Sequence, residues 1–218
     1  MPSTRLTVRL AAALVGALIA VAVFVAMPHE KAARPESVAA IRSDLERRWE
    51  RWRRTTAAFT ETTVRTSGEQ ELVADAEIAQ RFPDRVVRDG DDISAEVGGR
   101  QIGCSVTGTS PPQCLDSGPT TDAEARLADE LAEFRSLTGG STPTYRLSRT
   151  DTGCFRLRHL VEEFRPRWGD RLDLCFDDRT GVLRTEVTTI GPLTISVARR
   201  DIRNDVGDAA FSLPAAPA

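Results

Sequence analysis

Four cysteines, two histidines and several neighbouring carboxylates are the residues of this 218-residue chain with chemistry to offer. Zinc sites use closely spaced cysteines and histidines. Here Cys104/Cys114 and Cys154/Cys175 are spaced far more widely than CxxC pairs, and the only histidines are His29 and His159, so no metal is expected. Catalysis needs a nucleophile with its base, a metal, or paired carboxylates in a cleft. His29 stands next to an apolar N-terminal run, where it makes a poor base, and His159 reads as a surface or satisfied core histidine. Glu162 and Glu163 are adjacent, so in a strand they point to opposite faces and form no dyad. The aspartates of DGDD (residues 89–92), with Asp177 and Asp178, lack the ligand spacing of a calcium loop and suit turns. Gly139-Gly140 has neither the lysine nor the following helix of a phosphate loop. The expectation is a protein that is not an enzyme and carries no cofactor.

The chemistry left to the cysteines is pairing. Residues 10–27 (LAAALVGALIAVAVFVAM) are an unbroken apolar run preceded by Arg5 and Arg9. That length and flanking charge fit a single transmembrane span with a cytoplasmic N-terminus; a cleaved signal peptide is the competing reading. Either one exports the remainder into an oxidising compartment, where an even number of cysteines reads as disulfides. Three pairings are possible. If Cys154 faces Cys175 across an antiparallel pair, Phe155 faces Leu174, Arg156 faces Asp173 and Leu157 faces Leu172. Apolar meets apolar and cation meets anion at every step, with the disulfide on the polar face. Cys104–Cys114 is then a local staple across a proline-containing loop.

The elements that position these residues follow from periodicity. After an n-region (1–9), the span (10–27) and a linker (28–35), one exported domain covers 36–214, with 215–218 a disordered tail. Val38, Ile41, Leu45, Trp49 and Trp52 form the apolar stripe of a helix beginning near Pro35. Its other face carries Arg42, Arg47, Arg51 and Arg54, which read as a solvated face or as contacts to anionic lipid headgroups. Five alternating runs follow from Phe59, separated by turn signals. A Gly98-Gly99 hairpin sets Ala95 opposite Ile102 and Ile93 opposite Cys104. A second helix opens at a Thr121-x-x-Glu124 capping box, carries Ala123, Leu127, Leu131 and Phe134 on one side, and ends at Gly139-Gly140. Five more strands close the domain; the DDRTG turn sets Phe176 opposite Leu183 and Leu172 opposite Val187. The fold class is α+β: a curled antiparallel half-barrel of about ten strands, its concave face covered by two amphipathic helices, preceded by the transmembrane helix.

The basic-aromatic opening helix running into FTETTVRT, the RFPDRVVRDGDD hairpin and the closing DAAFSLP together resemble the LolA-like superfamily of exported lipoprotein and lipid carriers. That group includes the LppX/LprG type of lipid-binding lipoprotein and the sensor protein RseB. The resemblance spans about residues 36–214 and implies a greasy interior and no catalytic signature. This chain departs from the family's lipoproteins in having an apolar span where they carry a modified cysteine, which favours local lipid handling or sensing over a ferry. Candidate cavity-lining residues are Trp52, Phe59, Ile78, Ile93, Ile102, Leu127, Leu131, Phe134, Phe155, Leu157, Leu174, Phe176, Val187 and Ile195. The expected partners are the membrane through residues 10–27, a lipid or acyl chain, and a protein of the cell envelope. The alternative is an anchored protein-interaction or envelope-stress sensor domain with a filled core. A net charge of −3, with acids and bases interspersed, gives no basis for nucleic-acid binding. The expected location is the cell membrane, single-pass, with the C-terminal domain extracytoplasmic, or secreted if the N-terminal segment is cleaved.

Overall fold

The computed structural model describes residues 36–106, 111–161 and 166–214. The N-terminal segment 1–35 with its apolar run, Glu162 and Glu163, and the tail 215–218 lie outside the described residues. Among the described residues no helix is long and apolar enough to cross a membrane.

Helix α1 (Val38–Arg54) starts two residues after Glu36, at a Ser37 cap whose hydroxyl accepts from the Ala40 N–H. Strands β1 (Ala57–Ser67), β2 (Gln70–Arg81), β3 (Asp84–Asp89), β4 (Asp92–Val97), β5 (Arg100–Ser105) and β6 (Gln113–Pro119) follow. Helix α2 (Ala123–Thr138) then leads into β7 (Tyr145–Arg149), β8 (Phe155–His159), β9 (Arg171–Phe176), β10 (Leu183–Ile190) and β11 (Leu193–Arg203). The eleven strands form one open antiparallel sheet in the order β6-β5-β4-β3-β2-β1-β11-β10-β9-β8-β7. Each half is a meander of sequential hairpins, and the first and last strands join them.

Both proposed disulfides are present, Cys104–Cys114 and Cys154–Cys175, with Cα atoms 4.0 and 4.5 Å apart. The β8–β9 register is the predicted one: Phe155 on Leu174, Arg156 on Asp173, Leu157 on Leu172. The Gly98-Gly99 turn, both residues at positive φ, likewise gives the expected Ala95/Ile102 and Ile93/Cys104 pairs.

The structure sharpens or corrects the remaining expectations. Cys114 lies in a further strand, β6, which pairs with β5, so the expected staple joins directly opposed residues. The sheet therefore has eleven strands. A register shift between Leu183 and Thr185 sets Leu172 opposite Thr188 and turns Val187 towards Asp173 on the outer face. The cap of α2 is Asp122, which accepts from the Glu124 N–H; Glu124 instead binds Arg54 in a fork of 2.6 and 2.9 Å. Finally, of the arginines read as a solvated face of α1, Arg47, Arg51 and Arg54 are exposed, but Arg42 is turned inward. Arg42 donates to the Thr138 hydroxyl and carbonyl, Arg47 and Arg48 bind Asp44, and Arg48 also reaches Asp178.

The sheet is apolar on both sides, but in different places. On the helix side, α1 and α2 cover the second half of the sheet and the adjoining ends of β1 and β2. Ile41, Leu45, Trp52 and Phe134 pack there on Phe59, Ile78, Leu147, Phe155, Leu157, Leu172, Leu174 and Leu183. On the outer side, Ala58, Ala79, Val86 and Ala95 form a row of small residues running across β1–β4. That row is covered by Phe211 from the 3-10 turn Asp208–Phe211, with Ile93, Val97 and Leu213 around it. Arg81 lies over the Phe211 ring at 4.5 Å and binds Asp208, and Arg88 donates to the Ala210 and Ser212 carbonyls. The closing DAAFSLP thus serves as a plug for the outer face.

A candidate ligand groove beyond the helix roof

The two helices are tied to each other and to one half of the sheet by specific contacts. Trp49 Nε1 donates to Glu130 at 2.8 Å, Arg53 pairs with the same carboxylate at 3.1 Å, and the Trp49 and Phe134 rings meet edge-on at 5.1 Å. Asp44, buried in the contact between α1 and β7, takes hydrogen bonds from Arg149, Arg47 and Arg48. Burial alone would raise its pKa. The three guanidiniums override that and hold it at about 2. Beneath α1, Arg199 is 8% exposed, binds Glu61 at 2.8 Å and the Leu183 carbonyl at 3.0 Å, and lies over the Trp52 and Phe59 rings. Glu186 lies 4.0 Å from Arg199, and burial pushes its pKa up. Two carboxylates are thus held in place by one guanidinium.

The last anchor of the roof is Arg126 of α2, forked onto Glu96 of β4 at 2.8 and 2.9 Å. Beyond it the helix-side face of β3–β6 holds a groove of about 800 Å³. Its floor is one residue from each strand: Val87, Ser94, Gly103 and Leu115, in direct register. Ser94 and Gly103 are small, which makes the depression, and Leu115 is 72% exposed at its rim. An ideal Cβ on Gly103 would meet nothing within 4 Å, so the hollow lies directly above the backbone. Asp89 and Asp92 mark one end, and the Cys104–Cys114 bridge braces β5 to β6 beside it. Grooves of this size with mostly small or apolar lining suit an alkyl chain.

The structure distributes the candidate lining residues over three settings. Trp52, Phe59, Ile78, Leu127, Phe134, Phe155, Leu157 and Leu174 are buried in the packed half of the protein. Leu131, Phe176 and Ile195 are partly buried, Phe176 against that core and Ile195 on the helix side opposite Thr188. Ile93, Ile102 and Val187 belong to the outer face. The groove floor was within reach of sequence reasoning, because the Gly98-Gly99 register that pairs Ala95 with Ile102 also pairs Ser94 with Gly103. The apolar side of that hairpin carries the stronger signal, and it belongs to the Phe211 plug.

No protein-family model matches the chain, and no curated protein matches it. Solved structures do. The MucA/MucB complex from Pseudomonas aeruginosa aligns over 79% of this chain and 61% of the matched chain, at 16% identity and a TM-score of 0.44. An uncharacterized conserved protein from Thermus thermophilus aligns over 77% and 92%, at 12% identity and 0.42. LprF from Mycobacterium bovis aligns over 83% and 99%, at 12% identity and 0.41. At 12–16% identity and TM-scores of 0.41–0.44, these are diffuse likenesses.

Proposed function

We propose that this chain is a membrane-tethered, extracytoplasmic domain that binds the alkyl chain of a lipid in the groove over β3–β6, without catalysis. The observation carrying the reading is the row Ser94, Gly103 and Leu115, continuing from the partly buried Val87 and left exposed among the described residues where the helix roof ends, above which about 800 Å³ lies open. Each methylene buried there contributes about 0.8 kcal/mol, so a chain of ordinary length gains useful affinity. The two disulfides support an oxidising compartment, and the apolar run at 10–27 supports tethering.

The location of the groove favours local handling over long-range carriage. It is open along its length, so a bound chain keeps contact with solvent or with a bilayer surface. Native mass spectrometry of the full chain released gently from a nonionic detergent tests the reading. The expected spectrum contains adducts of lipid mass that disappear when a fluorescent fatty acid is added in excess. Only the bare polypeptide mass, together with no binding of the fluorescent fatty acid, would overturn the proposal.

A further inference from the structure

Strand β2 is twelve residues long and pairs with β1 along almost all of it, but β3 pairs only with Glu77–Arg81. Among the described residues, 70–76 therefore have a partner strand on one side and a bare edge on the other. In an antiparallel strand alternate residues turn both N–H and C=O to that edge. Natural edges are blunted by proline, lysine, bulges or a covering segment. This stretch reads QELVADA, with no proline, no lysine and no register shift against β1, and residues 70–75 are all exposed. Leu72 and Val73 are 69% and 58% exposed on opposite faces of the strand. A second, smaller groove of about 420 Å³ lies along it, lined by Leu72, Ala74 and Ala76 and meeting the first groove at Val87 and Asp89.

We propose that this notch accepts an extended segment of a partner protein as an added strand, running on in the direction of β3 from where that strand turns away at Asp89. The charge pattern specifies the occupant. Residues 69–77 (EQELVADAE) carry Glu69, Glu71, Asp75 and Glu77 and no base, and the adjoining turn adds Asp89, Asp91 and Asp92. Pairing with a second copy of this chain would bring two such acidic edges together, which like-charge repulsion opposes. A strand alternating apolar with basic residues satisfies both faces at once. Its apolar side covers Leu72, Ala74 and Ala76 on the helix side, and its basic side faces Glu71 and Asp75 on the outer side. The notch adjoins the groove over β3–β6, sharing Val87 and Asp89 with it, and the pairing that fills it uses the backbone edge of β2 rather than the floor of that groove.

The test uses the full chain in a nonionic detergent and a capped synthetic peptide of about eight residues alternating valine with arginine. Three further probes accompany it: the glutamate counterpart, a copy N-methylated on alternate residues to block one edge, and the protein carrying both Glu71→Lys and Asp75→Lys. The arginine peptide is expected to bind with an affinity that falls as salt rises, and to slow amide hydrogen exchange within residues 70–76. The glutamate peptide and the N-methylated copy should bind at least about tenfold more weakly, and the double variant should reverse the charge preference. No binding, binding indifferent to peptide charge, full binding by the N-methylated copy, or protection confined to other strands would overturn the proposal. So would a dimer in sedimentation experiments that is protected at residues 70–76, which would assign the edge to a second copy.

Discussion

Replacing Gly103 with leucine puts four carbons where the groove floor is now bare. The position sits in β5 between Ile102 and Cys104, is not among the positive-φ glycines, and offers a side chain open space within 4 Å. Glycine within a strand is entropically costly, by roughly 0.5–1 kcal/mol against alanine, so folding stability should stay level or rise by that amount. Binding should respond in the opposite direction. If the new side chain displaces about four ligand methylenes at about 0.8 kcal/mol each, the loss is about 3 kcal/mol, or roughly 200-fold in affinity. Displacement of a fluorescent fatty acid, measured alongside urea unfolding of the same sample, reads both quantities. A core control separates the effects: Phe134→Ala, at a residue 3% exposed, should cost about 3–5 kcal/mol of stability while leaving the groove floor intact. If Gly103→Leu is stable and binds the fatty acid as tightly as the parent protein, the groove over β3–β6 is not where the chain lies.

Three further outcomes follow from the same structure. The folded-state pKa of Asp44, about 2, lies below its ordinary value, so the stability it contributes is present above about pH 4 and lost as pH falls towards 2. Urea titrations should show a loss on the order of 2 kcal/mol across that window, and Asp44→Asn should flatten it. Arg199→Ala leaves Glu61 and Glu186 without their guanidinium and should destabilise by about 3–5 kcal/mol in chemical unfolding; replacing Arg199 and Glu61 together with methionine should recover much of this. Phe211→Ala removes the plug from the Ala58, Ala79, Val86 and Ala95 row and should lower stability by about 3–5 kcal/mol in the same measurement, without weakening fatty-acid binding on the opposite face.

What the sequence makes legible here is whatever several neighbouring constraints decide together. Around Cys154 and Cys175 each step of the strand pair has to match chemically, so one register satisfies them all and the structure has it. The Gly98-Gly99 hairpin is legible for the same reason. Strand β6 is not, because QCLDSGP has the composition of a turn; its pairing rests on the Cys104–Cys114 bridge and an Arg100–Asp116 ion pair, neither of which shows in periodicity. The irregularity near Arg184 that rotates Val187 outward leaves no mark in an alternating run. The groove is not legible because apolarity alone does not say which element covers which face. Ile93 and Ile102 read as cavity lining but lie on the outer face, Ile93 packed in the layer closed by Phe211, more than a hundred residues further along the chain.

A fatty acid carrying a diazirine near the middle of its chain, bound to the full-length protein, irradiated and mapped by peptide mass spectrometry, tests the binding site most directly. Carbene insertion should concentrate on peptides containing Val87 and Leu115, on the helix-side face of β3–β6. Insertion concentrated instead at Phe134, Leu174 or their neighbours beneath the helices would mean that the packed half opens to hold the chain and that the exposed groove does not.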